Sequence, residues 1–152
     1  MVRVLITGAN RGIGLELVRQ YLQQANSQVF AACRQPDQAT ALHQLAAEYP
    51  ARLQIIPLEV TDTASRQQAV QMVSQHTNAL DVLINNAAIN PPDRAQTLQG
   101  IETESLLHVL HVNSVAPLMV TQVFVELLKR GNQPCLINIS SERGSLTGRD
   151  DG

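Results

Sequence analysis

Val2-Arg3-Val4-Leu5-Ile6-Thr7-Gly8-Ala9-Asn10-Arg11-Gly12-Ile13-Gly14 is the stretch that decides the fold. Val2 to Ile6 is apolar but for Arg3 and rich in β-branched residues, as a buried strand requires. From Ile13 onward the apolar positions Ile13, Leu17, Val18, Tyr21 and Leu22 recur at helical spacing. Strand, glycine turn and helix thus succeed one another without a gap. Glycines in such a turn permit positive φ, let backbone approach a ligand closely and allow helix to pack tightly on strand, while the helix N-terminus offers free N–H groups to an anion. A pyrophosphate is the expected guest, and a tight ligand-free turn is the alternative.

The alternation continues along the chain. Strands are expected at Val2–Ile6, Gln28–Ala32, Leu53–Pro57, Val82–Asn85 and Cys135–Ser140, with helices between them. The helices are expected near Ile13–Gln24, Pro36–Tyr49, Thr63–His76 and Gly100–His111, the last continuing with a break into Ser114–Arg130. Pro36 suits a first helical turn, Asp62 or Thr63 suits an N-cap, and Gly131-Asn132 suits the end of the long helix. Ala88–Gln99, with Pro91-Pro92, reads as a long polar loop. Regular strand–helix alternation favours an α/β, doubly wound parallel sheet of about five strands with helices on both faces.

Composition narrows the function. The 152 residues, 44% of them hydrophobic, suit a single soluble domain with a sizeable core. A formal charge of -2 gives no electrostatic footprint for nucleic acid or an anionic membrane. With 3% aromatic residues and no Trp, base-stacking platforms are disfavoured too. Met1 leads straight into the first strand, and no apolar run reads as membrane-spanning, so a cytoplasmic location is expected. Cys33 and Cys135 lie in apolar strand-like runs and are read as reduced core or sheet residues.

In a doubly wound sheet, ligands bind beyond the carboxyl ends of the strands where strand order reverses. The polar clusters Thr7–Gly14, Cys33-Arg34, Glu59-Val60, Asn85–Ala88 and Ser140-Ser141 all fall at such ends. One shared site is expected. His108 and His111 are one turn apart, but no third ligand pattern accompanies them, so they are read as helix-face residues and no metal is expected.

Four motifs carry a resemblance: Thr7-Gly8-Ala9-Asn10-Arg11-Gly12-Ile13-Gly14, Asn85-Asn86-Ala87-Ala88, His111-Val112-Asn113, and Ile137-Asn138-Ile139-Ser140-Ser141. In this order and at these spacings the chain resembles the short-chain dehydrogenase/reductase family from end to end, most closely the carbonyl-reductase and C-factor-like branch. The resemblance implies a Rossmann-like domain over residues 1–152 that binds a nicotinamide dinucleotide. It implies cofactor contacts at Gly8, Asn10, Arg11, Gly12, Ile13, Gly14, Arg34, Glu59, Val60, Asn86 and Ala87. It also implies that Asn113 holds a water for proton relay and that Ser141 hydrogen-bonds a substrate carbonyl, with Ser140 able to cap or turn the chain instead.

Several positions depart from the family pattern. Glu59 stands where an aspartate is usual at the adenine, and a solvent-facing acid is its alternative role. Ala88 replaces the glycine of Asn-Asn-Ala-Gly. The end of the second strand carries Cys33-Arg34 rather than an acid, which would accept hydrogen bonds from a ribose 2′-hydroxyl. Arg34 and Arg11 instead suit a 2′-phosphate, so NADP(H) is preferred over NAD(H). As separate residues, each arginine could simply be a solvated surface charge.

The family's proton donor is the tyrosine of a Tyr-x-x-x-Lys motif, which does not occur here: the tyrosines are Tyr21 and Tyr49, and the lysine is Lys129. The expectation is therefore the cofactor-binding portion of a reductase, inactive by itself, with the unknown carbonyl or alcohol substrate recognised mainly elsewhere. The alternative is a non-catalytic nucleotide-binding or protein-interaction module on the same fold. Cys135–Ser140 would form an exposed apolar sheet edge, and Val115–Leu128 is apolar on more than one face. A homo-oligomer or a complementing chain is expected to cover them.

Overall fold

The computed structural model describes residues 1–90 and 98–141, so most of the expected loop after Ala88 lies outside the described residues. Strands β1 (Val2–Thr7), β2 (Ser27–Cys33), β3 (Leu53–Pro57), β4 (Val82–Asn85) and β5 (Cys135–Asn138) form one sheet in the order β3-β2-β1-β4-β5. Every neighbouring pair is parallel. The doubly wound architecture read from the sequence is the one observed. The order reverses at β1: the chain first builds outward through β2 and β3, then crosses back to lay β4 and β5 on the other side.

Side-chain alternation along the strands builds two cores. Leu5 stands in register with Phe30 and Leu83, and these face α3 (Thr63–His76) and the inner side of the long helical segment that precedes β5. Ile6 stands beside Ala31 and Ile84 and faces α1 (Gly12–Gln23) and α2 (Thr40–Glu48). Buried on both faces, Val4, Leu5 and Ile6 of β1 form a continuous apolar run, the signature of a central parallel strand.

Local chemistry sets the helix ends. Asp62 is the N-cap of α3, its carboxylate accepting from the Ser65 N–H at 2.6 Å, which resolves the choice between Asp62 and Thr63. Pro36 opens only a single tight turn, Pro36–Gln38, because Ala39 at ψ 59° leaves helical geometry before α2 begins. The second helix is therefore shorter than expected.

The long segment is one continuous helical path made of α4 (Thr103–Leu110), a π-helical turn (His111–Val115) and α5 (Ala116–Lys129). The break expected between its halves is that π turn. As a single run, Thr103–Lys129 is 27 residues long with mean hydropathy 1.3 in its most apolar window, long and apolar enough to cross a membrane by length and composition. This corrects the sequence reading that no stretch reaches that length. Val112, Ala116, Val120, Phe124, Leu127 and Leu128 nevertheless pack into the core beside the sheet. The second half of the segment thus covers the sheet, while α4 buries none of its residues.

β5 ends at Asn138, short of the expected Ser140, although the Ile139 N–H still reaches the Asn85 carbonyl at 2.9 Å. Both cysteines are free, Cys33 buried and Cys135 exposed on the edge strand. Strand β5 is one of the sheet's two edges, the other being β3, and Leu136 and Ile139 are exposed there.

Candidate functional site: a cleft at the strand carboxyl ends

The glycine turn leaves the carboxyl end of β1 beside the point of strand reversal. Gly8 and Gly12 adopt φ of +64° and +54°, in the left-handed region where a Cβ is disfavoured. A Cβ on Gly8 would come within 2.8 Å of the Ala87 Cα, and one on Gly14 within 2.3 Å of the Gly8 carbonyl. At Gly12 nothing stands within 4 Å. The turn is packed from behind by the Asn86-Ala87 backbone and open in front.

Thr7 and Asn86 hold that packing. The buried Thr7 hydroxyl accepts from the N–H groups of Asn86 and Ala87, both at 3.0 Å. In return the Asn86 amide donates to the carbonyls of Thr7 at 2.9 Å and Gly8 at 3.1 Å. The Ala9 N–H reaches the Ala32 carbonyl at 3.0 Å, so the turn is also tied to β2. Asn85 faces away from the turn: its side-chain nitrogen lies 2.9 Å from Asn138 Oδ1, 3.2 Å from Thr121 Oγ1 and 3.3 Å from the Pro117 carbonyl. The two asparagines thus divide the work, one bracing the turn and the other joining β4 to β5 and α5.

In front of the turn lies an open cleft of about 780 Å³. Gly8, Asn10, Arg11, Gly12 and Ile13 line one wall, Arg34, Glu59 and Val60 a second, and Asn86 and Ala87 the floor. Gly14 is not in the lining, being packed under Gly8. The cleft also takes in Gln35, Leu58, Thr61, Ala88, Ile89, Asn90, His108 and Val112, which the sequence reading did not single out as ligand contacts. For the first four, adjacency to an expected contact was the available signal. His108 and Val112 could have been found from their spacing of four on one helix face.

Charges are arranged along the second wall. The Arg34 guanidinium stands 3.7 Å from Glu59 Oε2, a loose pair in which Arg34 stays largely exposed. Glu59 Oε1 accepts from the Thr61 N–H at 3.2 Å and the Thr61 hydroxyl at 2.9 Å. One carboxylate oxygen therefore orders its own turn while the other faces an arginine. Burial pushes the Cys33 thiol above its ordinary pKa, which keeps this residue neutral beside Arg34.

Asn113 sits in the π turn, outside the cleft lining. Its Oδ1 accepts from the Ile89 N–H at 2.9 Å and its Nδ2 donates to the Ile89 carbonyl at 2.8 Å. The side chain is thus engaged in both directions and fixes the loop after β4 against the helix. Ser141 is exposed, three residues past the end of β5. Among the described residues no group of three or more His, Cys, Asp or Glu is placed to hold a metal.

The comparisons with known proteins agree with this architecture. The family described as short chain dehydrogenase matches residues 2–149. A short-chain dehydrogenase of Pyricularia oryzae is 34% identical over 145 residues, a match covering 94% of this chain and 58% of that protein. Among solved structures, an NADPH-bound carbonyl reductase from chicken fatty liver is 40% identical with a TM-score of 0.89, covering 96% of this chain and 62% of that one. The carbonyl reductase Sniffer of D. melanogaster is 30% identical with a TM-score of 0.91, covering all of this chain and 66% of its own. The chain spans little more than half the length of the curated relatives it matches. On the family match, which runs nearly from end to end, the chain belongs to the short-chain dehydrogenase family.

Proposed function

We propose that these residues form the NADP(H)-binding part of a short-chain oxidoreductase that transfers hydride between nicotinamide and a carbonyl or alcohol. The observation that carries the reading is that Arg11 and Arg34, from two different strand ends, line the same cleft as the glycine turn. The open front of Gly12 and the free N–H groups of the first turn of α1 fit a pyrophosphate. Arg11 and Arg34 fit the extra phosphate of NADP(H), and the chicken and Pseudomonas aeruginosa neighbours are described as NADPH- and NADP-bound carbonyl reductases.

On this reading the cofactor supplies the hydride, and the chain binds and orients it. Glu59 and Val60 take the adenine end, and Asn86 and Ala87 form the floor under the dinucleotide. Ser141 hydrogen-bonds the substrate carbonyl. Asn113, whose side chain clamps Ile89 at the mouth of the loop, is the residue assigned to hold a relay water. Proton delivery to a developing alkoxide needs an acid that residues 1–152 do not supply as a Tyr-x-x-x-Lys pair. These residues alone are therefore assigned binding without turnover.

A second chain or segment belongs to the same reading. Leu106, Leu107, Leu110, Val115 and Leu118 on the outer face of the long helical segment are exposed, together with Leu136 and Ile139 at the sheet edge. A soluble monomer in sedimentation at micromolar concentration would count against that part.

The cofactor preference is tested by replacing Arg11 and Arg34 together with alanine. Two charge-assisted phosphate contacts at about 1.5 kcal/mol or more each predict at least a hundredfold weaker NADPH binding, with NADH binding changed less than threefold. Equal losses for the two cofactors would overturn the assignment of these arginines.

A further inference from the structure

Arg66 is the buried charge that the cleft itself does not explain. It lies on α3 at 6% exposure, and its guanidinium donates to the Val60 carbonyl at 2.7 Å and the Thr63 hydroxyl at 2.8 Å. Both partners are uncharged oxygens, and its Nε is buried with no partner. Burying a cation on such terms is costly, and an apolar side chain of similar volume would fill the space at lower cost. Beside the Thr63 hydroxyl on its own helix, what the guanidinium holds is one carbonyl.

That carbonyl belongs to the turn Leu58-Glu59-Val60-Thr61, all four residues of which line the cleft. Apart from the loose Arg34–Glu59 pair at 3.7 Å, the rest of the turn is held by neutral or self-contained contacts: the Glu59 N–H donates to Ser65 Oγ at 2.8 Å, and Thr61 bonds back to Glu59 Oε1. Arg66 adds the charge-assisted contact, from beneath, at the residue between them. With the Val60 carbonyl drawn down onto α3, the edge of the turn left to the cleft is the one carrying the Glu59 carboxylate.

We propose that Arg66 is a positioning residue for the base-binding turn: through the Val60 carbonyl it sets the wall of the cleft against which the adenine end of the dinucleotide rests. The inference rests on the cofactor assignment above. It deepens that assignment by placing a specificity determinant outside the cleft lining.

The test compares the unaltered chain with Arg66→Met and Arg66→Lys, titrating each with NADPH, adenosine 2′,5′-bisphosphate and reduced nicotinamide mononucleotide, which lacks the adenosine half. Arg66→Met is expected to weaken NADPH and the bisphosphate by roughly tenfold and to leave the mononucleotide within twofold, as loss of one charge-assisted contact at the adenine end requires. Arg66→Lys, which keeps a donor for the Val60 carbonyl, is expected to recover most of that loss. Equal weakening of all three ligands, no weakening, or no recovery in the lysine variant would overturn the proposal. Should Arg66→Met not fold, the lysine variant decides: a selective loss of at most threefold at the adenine end supports it, and an unselective or larger loss overturns it. If the unaltered chain binds none of the three, the cofactor assignment itself fails, a result distinct from failure of the Arg66 role.

Discussion

Gly14→Ala is expected to destabilise the protein by about 3 kcal/mol, roughly 10 °C in thermal midpoint, and to abolish measurable NADPH binding. The added Cβ would stand 2.3 Å from the Gly8 carbonyl and 2.5 Å from the Asn86 amide nitrogen. Neither neighbour has room to retreat. The Gly8 carbonyl accepts from the Asn86 amide, and Asn86 is fixed by Thr7, so relief of the clash separates the glycine turn from the loop that braces it. Overpacking of this kind costs about 1–3 kcal/mol, and each hydrogen bond lost adds about 1.

Gly12→Ala provides the contrast. Its Cβ would meet nothing within 4 Å, but φ of +54° puts an alanine in the left-handed region at a cost of about 1–2 kcal/mol. The same chemical change two residues apart is therefore expected to differ chiefly in stability, since only Gly14 lies under the turn, while an alanine at Gly12 adds its Cβ to the cleft wall. Thermal melts and nucleotide titrations of the two variants check this. Equal melting points and equal affinities would show that the packing of turn on loop is not what shapes the cleft.

Asp81→Ala is expected to cost about 3–5 kcal/mol, a large loss for a single polar side chain. Asp81 is nearly buried at the opposite end of the sheet, where it accepts from Arg3 Nε and Nη2, both at 2.8 Å, from the Arg3 N–H at 2.7 Å and from the Asn132 N–H at 2.6 Å. One carboxylate thereby joins the start of β1, the start of β4 and the turn leading into β5. Removing it leaves the Arg3 guanidinium and two backbone donors without their acceptor. It also loosens the register of β4 on β1, on which the approach of Asn86 to the glycine turn depends.

The same group gives the stability a pH dependence. Hydrogen bonding to Arg3, with the Arg3 and Asn132 N–H groups adding to it, holds the Asp81 carboxyl well below the usual carboxylate range. A carboxylate depressed in the folded state contributes its full stabilisation above the unfolded value of about 4. That contribution is lost progressively as the pH falls towards the folded value. Denaturant melts of the unaltered protein and Asp81→Asn should therefore show a stability gap that is constant above about pH 5 and narrows steadily below pH 4. A gap that does not change with pH would show that the pair is energetically silent.

Legibility in the sequence depended on how local each cause is. β1 and the glycine turn could be read because their causes, β-branched residues and glycines at fixed spacing, lie within thirteen consecutive residues. The four-residue β4 was legible as a short apolar run, and the Asp62 cap as a turn residue before a helical pattern. The π turn was legible only as a break, because its cause is tertiary: Asn113 closes on Ile89, some two dozen residues earlier. The single turn at Pro36 was hidden behind a proline that favours helix starts but does not determine how far the helix runs. Thr7 read as the first residue of the glycine turn, while its hydroxyl is the acceptor that gathers the loop after β4. Arg66 was not singled out in the sequence, and only the fold places it beneath Val60.

The functional reading stands or falls on whether the cleft in front of Gly8–Gly14 holds a dinucleotide with a 2′-phosphate. Titration of the unaltered chain with NADPH, followed by nicotinamide fluorescence and competed with adenosine 2′,5′-bisphosphate, addresses that question without any substituted residue. A saturable change is expected, with a dissociation constant between about 1 μM and 1 mM, reversed by the competitor. A signal that stays linear in NADPH up to about 1 mM, or one that the bisphosphate leaves untouched, would contradict the reading.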